Sequence, residues 1–170
     1  MLNTRFALGF ALAMVVVTTL ASTALAGEPL PFKGSLDGVH ASRTPLDPSR
    51  FFDVFNATGQ ATHLGRFKLV IETVVDFGTR PPTGEGSLTF TAANGDKLVA
   101  DITGFSTLVA PGLVLITENA IIDPHRSTGR FAGATGTFII DRLADAATGV
   151  TGITVGSFEG TISRASPAHR

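Results

Sequence analysis

A hairpin pattern in the last third of the chain limits the fold more than any other feature. Residues 127–163 read STGRFAGATGTFIIDRLADAATGVTGITVGSFEGTIS. Apolar and glycine positions alternate with polar ones in two runs, which are Phe138 and Ile140 against Thr137, Ile139 and Asp141, then Phe158, Gly160 and Ile162 against Ser157, Glu159 and Thr161. A period of two residues is typical of a half-buried antiparallel sheet. The pattern predicts two long strands joined by a polar turn around residues 145–149.

The start of the chain has the three parts of a secretory signal peptide. Arg5 precedes an apolar run over residues 6–17, and small residues end in Ala24-Leu25-Ala26. The run is shorter than the roughly 20 residues that a membrane span needs. We therefore expect cleavage after Ala26, which leaves residues 27–170 as one domain that is exported to the periplasm or the extracellular space. We expect no membrane association after cleavage.

Composition excludes several classes of protein. The chain has no cysteine, so disulfides, cysteine zinc sites and cysteine nucleophiles are excluded. Its net charge of −1 does not favour nucleic acid or an anionic membrane as a partner. Tyrosine and tryptophan are also absent, so thirteen phenylalanines supply all of the aromatic surface.

The remaining mature chain reads as further short strands. They are predicted at residues 32–40, 50–57, 61–77, 86–92, 97–104 and 113–122. Proline predicts a loop over residues 42–49, and turn residues predict turns at 56–59 and at Asn94-Gly95, a strong hairpin signal. With the hairpin of the last third, the count is about eight strands. The predicted fold class is all-β, a single antiparallel barrel, because closure removes exposed sheet edges.

Two segments resemble the allene oxide cyclase barrel group and the related dirigent proteins of plants. They are TGRFAGATGTF, residues 128–138, and GSFEGTIS, residues 156–163. The resemblance implies an eight-stranded antiparallel barrel with a hydrophobic cavity, commonly assembled as a homotrimer. The cyclases rearrange an unstable fatty-acid epoxide, and dirigent proteins orient phenolic radicals without oxidising them. The resemblance assigns no catalytic residue to this chain.

Glu118 is the candidate catalytic residue. If Val114, Ile116, Ala120 and Ile122 face the lumen, Glu118 faces it too, and a carboxyl group there can donate a proton or hold a polar ligand group. The opposite orientation places Leu113, Leu115, Thr117 and Ile121 inside and Glu118 in solvent. This strand is apolar on both faces, so the sequence leaves both orientations open.

Candidate ligand-binding residues lie on other strands. His63 falls in register with Phe67 on the expected core face. Its two interpretations are an acid, base or metal ligand at the barrel mouth and a simple rim residue. The expected lining of the lumen is His63, Phe67, Phe90, Phe138 and Phe158. His40, His125 and His169 show no paired spacing, so no metal site is expected. Arg126, Arg130 and Arg142 are read as solvated strand ends, with capture of a ligand carboxylate as the alternative, and Asp101 is read as exposed.

Three functions follow from this barrel. The first is an exported barrel that binds a small hydrophobic or amphipathic molecule in its lumen, without catalysis and without a cofactor. The second is a cofactor-independent cyclase or isomerase in which Glu118 acts on a substrate held in an apolar cavity. The third is a filled barrel that self-assembles through outer-face residues such as Val70 and Val74.

Overall fold

The computed structural model describes residues 27–146 and 152–164. Eight antiparallel strands form a closed barrel in which each strand pairs with its neighbours in sequence and the last pairs with the first. The strands are β1 Leu30–Pro45, β2 Arg50–Ala61, β3 Gly65–Asp76, β4 Thr83–Ala92, β5 Lys97–Ala110, β6 Leu113–Ile122, β7 Thr135–Asp145 and β8 Ile153–Ser163. A 3-10 turn, Gly129–Phe131, is the helical element of the described part. The predicted all-β barrel is confirmed.

The hairpin of the last third is formed as predicted. Phe138 pairs with Gly160 and Ile140 pairs with Phe158 across β7 and β8. Phe138, Ile140, Phe158 and Ile162 are all buried. The predicted polar turn falls largely on residues 147–151, which lie outside the described residues.

Two predicted boundaries were wrong because long-range pairing overrides local turn chemistry. The loop predicted at residues 42–49 is only residues 46–49, since β1 continues to Pro45, which pairs with Phe51. Proline is tolerated at a strand end, where it need not donate to the ladder. The turn predicted at 56–59 lies inside β2, which is paired on both sides, and the chain turns instead at residues 62–64.

One half of the lumen is filled by aromatic side chains. The phenylalanine cluster consists of Phe32, Phe67, Phe90, Phe138 and Phe158, whose ring centroids lie 4.9 to 6.1 Å apart in contacting pairs. All of these pairs are tilted or edge-to-face, arrangements that aromatic rings favour. We call this the phenylalanine end of the barrel. It is the end where β1 begins and β8 finishes.

The predicted signal peptide, residues 1–26, lies outside the described residues and stays a prediction. Within residues 27–146 and 152–164, no helix has both the length and the apolar character needed to cross a bilayer.

Candidate binding cavity

A cavity of about 300 Å³ occupies the half of the barrel opposite the phenylalanine end. We call this half the cavity end. Its wall is apolar over much of its area, with Phe55, Val75, Ile102, Val114 and Ile116. Six charged or titratable side chains also line it, namely His40, Arg43, Asp53, Glu118, Arg142 and Asp145. An apolar enclosure with a few convergent polar groups is typical of small-molecule sites.

Glu118 and Arg142 form a buried, two-point ion pair in the cavity wall. Arg142 Nε donates to Glu118 Oε2 at 3.0 Å, and an Arg142 NH2 group donates to Glu118 Oε1 at 2.9 Å. Their side chains are 5% and 2% exposed for Glu118 and Arg142 respectively. The other terminal nitrogen of Arg142 donates to Thr154 Oγ1 over a longer 3.4 Å. Because arginine stays protonated in proteins, Glu118 faces a permanent positive charge.

The structure places Glu118 on the inner face of β6, as the first of the two orientations predicted. Ala120 and Ile122 are buried on the same face, whereas Ile121 is 64% exposed. The reading of Arg142 as a solvated strand end was wrong. On β7, the buried residues Phe138, Ile140 and Arg142 follow one another at every second position. This alternation in the sequence predicts that Arg142 lies on the inner face.

A second group of polar side chains consists of His40, Arg43 and Asp53 on β1 and β2. Arg43 Nε donates to Asp53 Oδ1 at 2.8 Å and Arg43 NH2 donates to Asp53 Oδ2 at 2.6 Å. His40 Nε2 lies 3.4 Å from Asp53 Oδ1. Asp53 is 1% exposed, so these partners take the place of water around its carboxyl group. The hydrogen bond to Asp53 raises the pKa of Arg43 above its ordinary value.

A bulge in β1 brings Arg43 into this group. The pairing register with β2 shifts between His40 and Ser42, so that His40 lies opposite Phe55 and Arg43 lies opposite Asp53. The extra residue changes the phase of the alternation, and Arg43 rather than Ser42 follows His40 on the inner face. Neither His40 nor Asp53 was predicted as a site residue. His40 lies in phase with the buried Leu36 on β1, and Asp53 lies in phase with the buried Phe55 on β2. This two-residue period was the feature of the sequence that could have predicted their inward orientation.

Phe55 contacts both the Glu118–Arg142 pair, through Arg142, and the group of His40, Arg43 and Asp53, through His40. The His40 ring stacks on it with centroids 4.5 Å apart, and the Arg142 guanidinium carbon lies 4.2 Å from its ring centre. A cation over an aromatic face is attracted by the ring quadrupole. The two polar groups therefore share one aromatic wall of the cavity.

Aromatic side chains lie at the mouth of the cavity. Phe77 is 44% exposed and Phe105 is 42% exposed, and both line the cavity. Arg43 lies 5.4 Å from the Phe51 ring and 5.2 Å from the Phe77 ring. A ligand that enters the barrel here passes between apolar surfaces before it reaches the buried charges.

The predicted ligand-lining residues lie elsewhere in the barrel. His63 is in the β2–β3 turn, with a φ of 64°, and its Nδ1 lies 3.3 Å from an Arg164 terminal nitrogen, so the structure places it on the rim at the phenylalanine end. Phe67, Phe90, Phe138 and Phe158 are buried inside the barrel but fill it, and none of them lines the cavity.

The other charged candidates lie outside the lumen. Arg126 is partly exposed and pairs with Asp123 and with Asp101, which is exposed as predicted. Arg130 is also partly exposed, near Asp96. Within the described ranges, no group of three or more His, Asp or Glu side chains is placed to hold a metal ion.

No protein-family model, curated protein or solved structure that was compared matches this chain. The fold and the cavity thus define a small closed β-barrel with an internal polar site. The resemblance to allene oxide cyclases and dirigent proteins stays a prediction.

Proposed function

We propose that this protein binds one small amphipathic molecule inside the barrel, at the cavity end. The observation that carries the proposal is the cavity of about 300 Å³, in which buried ion pairs stand beside an apolar wall. Burial of the ligand's apolar part supplies affinity, and the polar side chains orient its polar part. Export from the cytoplasm is part of the same proposal and rests on the sequence of residues 1–26.

The barrel is filled at its phenylalanine end and hollow at its cavity end, and this difference supports binding over a purely structural role. The phenylalanine cluster supplies a packed core at one end, so the residues at the cavity end are not all needed to fill space. Buried charges are costly when they serve stability alone, since well-packed apolar residues of similar volume often do as well or better. Two ion pairs facing one cavity are consistent with a recognition site.

The first test is native mass spectrometry of the protein purified from its own host, followed by organic extraction and identification of the bound compound. We expect a stoichiometric small molecule. A clean apo mass together with no binding of an apolar fluorescent probe would contradict the proposal and favour a structural barrel.

A pair of neighbouring variants locates the binding site. Val114 lines the cavity, whereas Leu115, the next residue on β6, lies on the opposite face of the strand. Val114→Trp fills the cavity and should abolish binding of the probe, while Leu115→Trp should leave it unchanged. Equal binding by the two variants would place the ligand elsewhere.

A second candidate function is a cofactor-independent cyclase or isomerase. The observation in its favour is that His40 and the Glu118–Arg142 pair line the same cavity. Imidazole can move a proton near neutral pH, and a guanidinium can stabilise negative charge that develops on an oxygen. Its test is conversion of the extracted compound to an isomer of the same mass. His40→Gln and Glu118→Gln should lose turnover while the barrel fold is retained, and full turnover in both variants would exclude the assigned roles.

The homotrimer implied by the family resemblance is a separate proposal. Val70 and Val74 on β3 are the outer-face residues predicted for self-assembly. Val70 is 38% exposed, and Val74 is half-buried. Sedimentation at several protein concentrations distinguishes a trimer from a monomer that binds ligand.

A further inference from the structure

We propose that the cavity selects an uncharged molecule whose apolar body carries a carbonyl oxygen, and that this oxygen accepts hydrogen bonds from Arg142. The inference rests on the proposed binding function and names the chemical class of the ligand. Three observations carry it, namely the hydrogen-bond donors of Arg142, the charge balance of the cavity and the character of its wall.

Arg142 has more donors than the described residues use. A guanidinium carries five N–H groups. In residues 27–146 and 152–164, three of them donate, two to Glu118 and one to Thr154. Each terminal nitrogen keeps a second N–H, although the side chain is only 2% exposed. Buried donors are costly when they find no acceptor, so the cavity favours a ligand that brings an acceptor oxygen.

Both arginines that line the cavity already have a carboxylate partner. Glu118 compensates Arg142, and Asp53 compensates Arg43. A ligand carboxylate would add a negative charge without a free partner, at the desolvation cost of a buried ion. The ligand is therefore uncharged, unlike a fatty acid or an aromatic acid.

The acceptor is a carbonyl because Arg142 only donates. A carbonyl oxygen has two lone pairs and no proton of its own, which matches two N–H groups on adjacent nitrogens of one guanidinium. A hydroxyl group would also need an acceptor for its proton. Around Arg142 the wall consists of Phe55, Val114 and Ile116, which accommodate an apolar body attached to the carbonyl carbon.

The experiment uses four bicyclic probes of similar size: tetralin, 2-tetralone, 2-tetralol and 1,2,3,4-tetrahydro-2-naphthoate. The chain has no tryptophan, so Phe105→Trp at the cavity mouth supplies a single fluorescent reporter. Isothermal titration calorimetry repeats each titration on the unmodified protein. Both are run at about pH 8, where an ordinary imidazole is uncharged.

We expect 2-tetralone to bind about tenfold more tightly than tetralin, the factor that one hydrogen bond to a charged donor supplies. The alcohol and the carboxylate should each bind more weakly than the ketone. If tetralin binds as well as the ketone, or if the alcohol or carboxylate binds best, the carbonyl assignment is overturned while cavity binding stands. If none of the four binds, both the assignment and the proposed function fail.

The double variant Glu118→Leu with Arg142→Met attributes the preference to this ion pair. In this variant we expect 2-tetralone and tetralin to bind equally, so that the preference for the ketone is lost. The matched control is Asp101→Leu with Arg126→Met, which removes an ion pair on the outer surface and should keep the preference. Persistence of the preference in the first double variant would overturn the role of Arg142. Should that variant not fold, the ranking of the four probes on the unmodified protein decides.

Discussion

Glu118 and Arg142 are diagonal neighbours across β6 and β7. Glu118 pairs with Ile140, and Arg142 pairs with Ile116, two positions along each strand. Long side chains reach across this diagonal on one face of an antiparallel sheet. The ion pair therefore follows from the register of the barrel.

Breaking this pair from one side should destabilise the barrel strongly. Arg142→Met leaves the Glu118 carboxylate buried without its partner, and we expect a loss of about 3 to 5 kcal/mol in the free energy of unfolding. The double variant with Glu118→Leu removes both charges and should be more stable than Arg142→Met. Urea unfolding measures both. A single variant as stable as the unmodified protein would mean that Glu118 is solvated.

The phenylalanine cluster should dominate stability. Phe90 is fully buried and contacts four other rings of the cluster, so Phe90→Ala should cost about 3 to 5 kcal/mol. Phe105→Ala, at a position 42% exposed, is the control and should cost much less. Thermal and urea unfolding of both variants test the difference. Similar losses would show that packing is not concentrated at the phenylalanine end.

Gly160 should not tolerate a side chain. A Cβ at this position would lie 2.5 Å from the Cα of Phe138 and 2.6 Å from its Cβ, closer than packed carbon atoms approach. Gly160→Ala should therefore cost about 1 to 3 kcal/mol through overpacking. Gly84→Ala is the matched control within a strand, because the nearest atom to its Cβ would be 3.7 Å away. Urea unfolding that ranks Gly84→Ala as the more damaging change would contradict this packing.

Asp123 should make stability depend on pH in the acid range. Its hydrogen bond from Arg126, with further bonds from the backbone N–H groups of Arg126 and His125, lowers the pKa of Asp123 from 3.8 to about 2. A carboxyl group with a lowered pKa in the folded state stabilises it above the ordinary pKa, and this contribution is lost as pH falls through the lowered value. Asp123→Asn should therefore lower the melting temperature at neutral pH, and the difference should vanish as the pH falls from about 4 to about 2. A difference that stays constant across this range would refute the role of the charge.

Local chemistry was enough to predict several elements. Asn94-Gly95 lies in the turn between β4 and β5, where Gly95 has a φ of 89°, a conformation that glycine adopts without strain. The strand β6 has the predicted bounds, Leu113–Ile122. These successes share a cause, since turn residues and a period of two are properties of neighbours in the chain.

The site was harder to predict because its parts come from different strands. His40 and Asp53 carry no motif and meet only when β1 pairs with β2, and a bulge in β1 then adds Arg43 to them. His63 was expected on the core face of a strand. The chain turns at residues 62–64 rather than at residues 56–59, and this places His63 on the rim. No pattern within one strand contains this information.

The sequence by itself determined the all-β class, the number of strands and the inward series of the β7–β8 hairpin, because alternation along a strand decides which side chains share a face. Only the tertiary structure decided which half of the lumen is filled, which way β6 faces, and which charges meet there. Closure of the barrel sets the register of every strand against two neighbours at once, and the partners of Glu118 and Asp53 depend on that register.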